Sequence, residues 1–458
     1  MIKTKLEKVF HLSENHTDIK TEFIAGCTTF MTMSYILAVN PSILSEAGMD
    51  KGAVFTATIL AAFIGTMLMA VLSNYPIALA PGMGLNAYFA YTVVLEMGYT
   101  WQVALAAVFV EGVIFIILSL TNVREAIFNA IPPGLKNAAS VGVGIYIAFI
   151  GLQNAKIIVD GNKLVAFYSF HKSVEEGRFS QEGITVLLAL LGIIITSILV
   201  IKKVKGNILW GILITWGLGI VCELTGLYKP QGEFVSLLPD FSRGLYIPSL
   251  KPTFMQMDFS KVFTFDFMVV MAAFLFVDMF DTIGALIGIT ARADLLDANG
   301  KLPRVKGALT ADAIATFSGA VLGTSTTTTY IESASGVEEG GRTGLTAVTT
   351  AVLFIAALFL SPIFLAVPAF ATAPALIVVG FLMMTALKKI DFEDMTETIP
   401  AFIAILAMPF MYSISEGIAM GIISYVLINL FCGKGKRKKI TILMYILAIL
   451  LVLKYVLL

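Results

Sequence analysis

Apolar runs of about twenty residues recur along all 458 residues of the chain, and a helical run of that length matches the roughly 30 Å hydrocarbon core of a bilayer. That one feature leaves few folds open. In lipid every backbone N–H and C=O must find its partner inside the protein, which selects helices or closed barrels, and runs of this length select helices. Composition agrees, since 58% of residues are hydrophobic and only 14% are charged, against about 25% charged in a soluble domain. Lys plus Arg balance Asp plus Glu at 31 each, so no basic surplus points to nucleic acid. Cys27, Cys222 and Cys432 stand far apart with no CxxC pair, and His11, His16 and His171 lie in polar stretches. A buried metal centre and a bound cofactor are therefore not expected.

Apolar spans are predicted near 22–40, 52–73, 76–94, 100–120, 135–152, 182–201 and 207–224, and again near 265–290, 307–322, 324–338, 343–361, 366–387, 395–412 and 415–432. A further run, 440–458, carries only Lys454 and fits either a fifteenth crossing or a helix lying in the interface. The first 21 residues are polar and mixed in charge, which is not a cleavable leader. With that segment in the cytosol, 21 of the 31 basic residues fall in inner segments and only Lys51 in a short outer loop, as the positive-inside rule requires. The GKGKRKK run, with Lys434 to Lys439, falls inside when fourteen crossings precede it. The expected location is the cytoplasmic (inner) membrane, multi-pass.

Seven crossings per half force the second half to lie upside down relative to the first, an inverted repeat. Ile131-Pro132 opens the fifth span and Val367-Pro368 the twelfth, and Gly144 matches Gly380 at the same offset of 236. The third and tenth spans are more informative. PIALAPGMGLN, from Pro76 to Asn86, is interrupted by Pro81, Gly82 and Gly84. GAVLGTSTTTTYIE, from Gly319 to Glu332, carries Gly319, Gly323 and a run of β-favouring threonines. Neither makes a regular helix. Irregular backbone at membrane depth belongs beside a cavity, and paired interruptions in matching places of two halves mark a transporter's binding site.

Acidic residues single out the chemistry. Asp278 lies near the middle of the eighth span and Asp281 follows one turn later. Each costs about 2.5–3.5 kcal/mol to insert unless it faces protein or water, and at this spacing both project from one face. No Lys, Arg or His lies deep in any span to neutralise them, so protonation is the available route, and two nearby carboxylates in low dielectric raise at least one pKa. Glu332 closes the tenth-span motif, where it would line the site, cap a half-helix, or do both. Asn86 follows the PGMG break with a donor and an acceptor, or caps the helix there. Glu111, in the middle of the fourth span, fits a structural bond and a proton path equally. Glu338, Glu339 and Arg342 read as solvated charges at a turn. Together Asn86, Asp278, Asp281 and Glu332 describe a neutral-to-acidic pocket for the edges of a flat ligand.

These residues resemble a known family. FVDMFDTIGALIG, GTSTTTTYIESASGVEEGGRTG and ALAPGMGLNAYFAY are similar to the azaguanine-type purine permeases, the hypoxanthine/guanine/adenine branch of the nucleobase transporter superfamily. The resemblance runs from TEFIAGCTTFMTMSYILAVNP to the basic run. It implies an all-α polytopic fold of fourteen spans as a 7+7 inverted repeat, like the uracil permease, with short strands in spans 3 and 10. It also implies a core domain from 22–120 and 265–361 and a gate domain from 121–224 and 362–432. Around these lie the cytosolic N-terminus 1–21, an extracytoplasmic connector 225–264, and 433–458 with the basic run and a C-terminal apolar helix. Carried over residue by residue, it places Asn86, Asp278 and Glu332 on the substrate and gives Asp281, together with Glu332, to proton coupling. Homodimerisation is implied by the resemblance alone. The run 440–458 departs from the plain fourteen-span pattern.

The function that follows is proton-coupled uptake of guanine and hypoxanthine, with adenine, uracil or xanthine as same-class alternatives. The partners are a purine base, a proton and the bilayer, with no nucleic acid and no enzymatic activity. An intramembrane aspartyl protease needs its two Asp on separate helices, whereas Asp278 and Asp281 share one. An anion carrier needs a basic residue in the pocket, and a sensor needs an appended signalling domain.

Overall fold

The computed structural model describes residues 2–120, 132–161, 164–230, 236–242, 244–292, 295, 303–432 and 440–457. The basic run Lys434 to Lys439, and Ile131 before Pro132, lie outside the described residues. The fold is helical and of membrane type. Among the described residues nine helical stretches are long and apolar enough to cross a bilayer, from Ile19–Glu46 to Ala369–Lys389. Met395–Phe410, Glu416–Phe431 and Ile442–Leu453 are shorter apolar helices. Their outward faces carry bare hydrocarbon, as at Ile194, Ile198 and Ile201.

The helices pack in two groups. In the first, Lys51–Ser73 lies on Val305–Leu322 and Gly344–Ala357, Trp101–Leu120 lies on Val305–Leu322, and Ile19–Met33 lies on Gly344–Ala357. In the second, Pro133–Asn154 lies on Ala369–Met383 and Met395–Phe410, and Ile184–Ile201 lies on Asn207–Leu224 and Ala369–Met383. The contact of 101–120 with 305–322 has a counterpart in that of 344–357 with 51–73. Where 133–154 crosses 369–383, Gly144 and Gly380 face each other, and a Cβ on Gly144 would stand 2.6 Å from the Gly380 carbonyl oxygen. Only a residue without a side chain lets the two backbones come this close. Pro132 and Pro368 are the N-caps of these two helices, positions where a missing N–H costs nothing.

Inside the first group the helices give way to strand. Strand β1 (Leu79–Pro81) precedes the short helix Met83–Ala87. Strands β2 (Ile158–Asp160) and β3 (Val165–Phe167) form a separate hairpin. Strand β4 (Thr327–Thr329) pairs antiparallel with β1, Ala80 opposite Thr328. The ladder is extended by Gly82 N–H donating to the Thr326 carbonyl (3.0 Å) and Tyr330 N–H to the Ala78 carbonyl (3.1 Å).

A two-stranded sheet buried like this one must satisfy its outer edges within the protein. Threonines on neighbouring helices do so. The Thr66 hydroxyl accepts from Leu79 N–H (2.9 Å), and the Thr316 hydroxyl donates to the Thr327 carbonyl (3.0 Å). The helix Ile442–Leu457 packs back along Ile414–Phe431, and the Tyr455 hydroxyl reaches Glu416 in that helix's first turn. The two therefore run antiparallel.

Candidate functional site

The crossing of β1 with β4 is where the acidic side chains collect. Helix Phe265–Arg292 passes β4, and Asp278 and Thr282 on it are fully buried. The Thr282 hydroxyl lies 2.7 Å from the Asp312 carboxylate, 2.7 Å from the Thr328 hydroxyl and 3.3 Å from Asp278. One side chain thus ties helix 265–292, helix 305–322 and strand β4 together. Asp281, one turn on from Asp278, is half-buried and within electrostatic range of Asp312.

Glu332 is half-buried too, just past the end of β4 in the short turn Ile331–Ser333. Its carboxylate accepts from the Tyr35 hydroxyl at 2.7 Å. Tyr35 stands at the break between helices Ile19–Met33 and Ile36–Glu46, where a buried phenol needs a partner. The Tyr330 hydroxyl donates to the Pro81 carbonyl (2.6 Å) and lies within electrostatic range of both Glu332 and Asp281. The acids of helix 265–292 and the acid after β4 therefore share one neighbourhood.

Asn86 is fully buried inside the short helix after β1. It does not cap that helix, because Gly82 holds the N-cap and the Asn86 N–H donates to the Gly82 carbonyl (2.8 Å). Glu332 likewise caps no helix through its side chain, since Tyr330 is the N-cap of its turn and makes no side-chain cap bond. Instead the Ser325 hydroxyl donates to the Asn86 side-chain oxygen, while the Asn86 amide nitrogen is buried with no hydrogen-bond partner among the described residues. Tyr88 and Phe89, next in the chain, pack edge-on against Phe274 of helix 265–292. This contact sets the Asn86 segment beside the Asp278 helix.

Glu111 is fully buried and accepts from the Thr326 hydroxyl at 2.7 Å, behind β4. Of the charges at the 338–342 turn, Glu338 is exposed as the sequence suggests, whereas Glu339 and Arg342 are half-buried. Glu339 pairs with Lys205 of the second helix group at 2.7 Å, and the Arg342 guanidinium donates to the Val337 and Gly341 carbonyls. The turn is pulled in because Glu22, fully buried, accepts from the Arg342 and Thr346 N–H groups and the Thr346 hydroxyl.

Sequence reasoning missed Asp312, Tyr35, Tyr330 and Ser325. Asp312 carried a readable signal, being an acid within an apolar run at the usual insertion cost. It lies toward the start of the expected span 307–322. The aromatic and hydroxyl residues carried none, because Tyr and Ser are ordinary at membrane depth and only the fold brings them to the acids. Among the described residues no three His, Cys, Asp or Glu side chains converge to hold a metal ion. The site offers carboxylate acceptors, one amide donor and two phenols, which suits the edge of a neutral planar molecule.

Residues 20–434 match the model of a family described as the Permease family (Xan_ur_permease). The chain is 45% identical over 447 residues to the guanine/hypoxanthine permease PbuO of Bacillus subtilis, covering 96% of this chain and 98% of that one. It is 40% identical over 455 residues to the adenine permease AdeP of Escherichia coli, covering 98% and 96%. Among solved structures, the transmembrane domain of the cyanobacterial bicarbonate transporter BicA superposes with a TM-score of 0.62 at 16% identity, over 88% of this chain and 97% of that one. That likeness speaks to the fold. The chain belongs to the Permease family and is a transporter.

Proposed function

We propose that this permease carries purine nucleobases, guanine and hypoxanthine foremost, into the cell across the cytoplasmic membrane in symport with protons. The observation that carries the reading is the junction at Thr282, where Asp278 and Asp312 of two neighbouring helices meet the threonine strand β4. A purine base has N–H donors and ring-nitrogen or carbonyl acceptors on its rim. Asp278 and Glu332 accept from the former, and Asn86 serves the latter. A site of buried polar groups rejects a molecule that leaves them unpaired.

The same junction motivates the coupling. The Thr328 hydroxyl can donate to Thr282, whose own single hydroxyl hydrogen faces two carboxylates. A proton on one of the acids adds a second donor at the junction and lowers the repulsion between the two carboxylates. An occupied site loaded with charge is costly to move past hydrocarbon, and protonation of Asp281 or Glu332 removes that cost. Asp312 joins this relay in our reading. Groups this close titrate as a unit, so the proton belongs to the cluster.

In the same proposal fourteen crossings form a 7+7 inverted repeat with the N-terminus in the cytosol. The first helix group, 22–120 with 265–361, is the core that holds the base, and the second, 121–224 with 362–432, is the gate. The recurring helix pairs, the facing glycines and the crossed strands support this division. Alternating access then follows from rocking one group against the other around the site, and Lys205–Glu339 is a contact that spans them. Adenine is the second substrate, favoured by the 40% identity to the adenine permease of Escherichia coli.

Uptake of radiolabelled guanine, hypoxanthine and adenine into cells lacking their own permeases tests the proposal. The expected result is saturable uptake that a protonophore abolishes. No uptake of any purine base contradicts the substrate reading, and uptake indifferent to the protonophore contradicts the coupling.

A further inference from the structure

Asn86 is an ambiguous recognition group until something fixes which way its amide points. An amide turned one way offers a ligand two hydrogens, and turned the other way an oxygen. Here the oxygen is occupied. The Ser325 hydroxyl donates to it, Ser325 and Asn86 are both fully buried, and the amide nitrogen has no partner among the described residues. Turning the amide over would let its nitrogen donate to Ser325. The serine's own hydrogen would then be stranded, since among the described residues its hydroxyl donates only to Asn86, and a stranded buried donor shifts such an equilibrium by about tenfold or more.

Ser325 is itself held. The next residue, Thr326, donates through its hydroxyl to the buried Glu111 carboxylate at 2.7 Å, and its carbonyl accepts from Gly82 N–H at 3.0 Å. Glu111 in one helix and Gly82 beside Asn86 thus clamp the Ser325–Thr326 step from two sides.

We propose that Ser325 is a specificity-determining residue: by fixing the Asn86 amide with its hydrogens toward the ligand, it selects purines with a carbonyl at position 6 over those with an amine. The inference rests on the purine reading above. A 6-oxopurine presents a carbonyl acceptor beside an N1–H donor, which matches an amide hydrogen beside a carboxylate. Adenine presents the reverse, an amine donor beside a bare N1. Glu111 acts through Thr326 as a positioning residue, which gives this buried acid a part in recognition without contact to the base.

Inhibition of radiolabelled hypoxanthine uptake by unlabelled hypoxanthine and adenine gives the ratio of their inhibition constants. Wild type is expected to favour hypoxanthine. Ser325→Ala should move the ratio about tenfold toward adenine, Ser325→Thr should keep it, and Thr326→Val should move it the same way by less. Where Ser325→Ala does not reach the membrane, Asn86→Asp supplies the second test. It offers acceptors only, so ligand-induced thermal stabilisation of the purified protein should shift from hypoxanthine toward adenine. A wild type that prefers adenine, a Ser325→Ala protein with an unmoved ratio, or an Asn86→Asp protein that keeps the hypoxanthine preference overturns the inference. Absence of purine uptake or binding by wild type sinks instead the reading beneath it.

Discussion

The two broken segments occupy equivalent places and are built from opposite chemistry. Around β1 the chain is PIALAPGMGLN, almost wholly apolar, with Asn86 its one polar side chain. Around β4 it is TSTTTTYIE, in which Thr324 to Thr329 are all buried hydroxyl residues and an acid follows. In the inverted repeat we propose, pseudo-symmetry sets where the strands cross, and hydrophobic packing would serve both equally well. The asymmetry therefore marks what the fold does not require. The first segment supplies close backbone approach and a single amide. The second supplies hydroxyls that organise carboxylates from the helices around it.

The comparison breaks most readily at the acids. Replacing Glu332 by Ala removes the acceptor for Tyr35 and, in our proposal, for the base. A charge-assisted hydrogen bond of about 2–3 kcal/mol predicts roughly 100-fold slower purine uptake with unchanged membrane expression. Asp312→Asn keeps the shape and removes the charge beside Thr282. It should cut uptake about tenfold while leaving equilibrium binding of the base within a few-fold, and equal loss of both would place Asp312 on the substrate instead. Tyr35→Phe deletes one hydroxyl from Glu332, for which a several-fold rise in KM, about 1 kcal/mol, is expected.

The smallest effects sharpen the symmetric half of the comparison. Thr66→Val and Thr316→Val each strip one hydroxyl from an outer edge of the crossed strands. Each should cost about 1–2 kcal/mol of stability, read as similar drops in thermal midpoint of the purified protein, with KM nearly unchanged. A large KM change in only one of them would mean that the sheet's edge belongs to the site.

How much of this could be read from the chain follows from what each feature rests on. Membrane helices rest on local hydropathy, so their existence was legible. Asp278, Asp281 and Glu332 stand out as candidates because acids at membrane depth are costly wherever they fall. Pro132 with Pro368 and Gly144 with Gly380 were visible as matched offsets, but that the two glycines touch is a tertiary fact. Asp312 was hidden by an uncertain span boundary, and Ser325, Tyr35 and Tyr330 by being ordinary residues whose meaning comes only from their neighbours. Glu111 was noticed without a role, because its partner Thr326 lies 215 positions away.

Equilibrium binding of radiolabelled hypoxanthine to the purified protein, wild type beside Asp278→Ala and Glu332→Ala, reaches the centre of the account without depending on transport. Saturable binding by wild type, lost in both variants while each keeps its thermal midpoint within a few degrees, is the predicted result. Wild-type affinity retained in both variants would contradict it, since the base would then be held by something other than the acids gathered at the crossed strands.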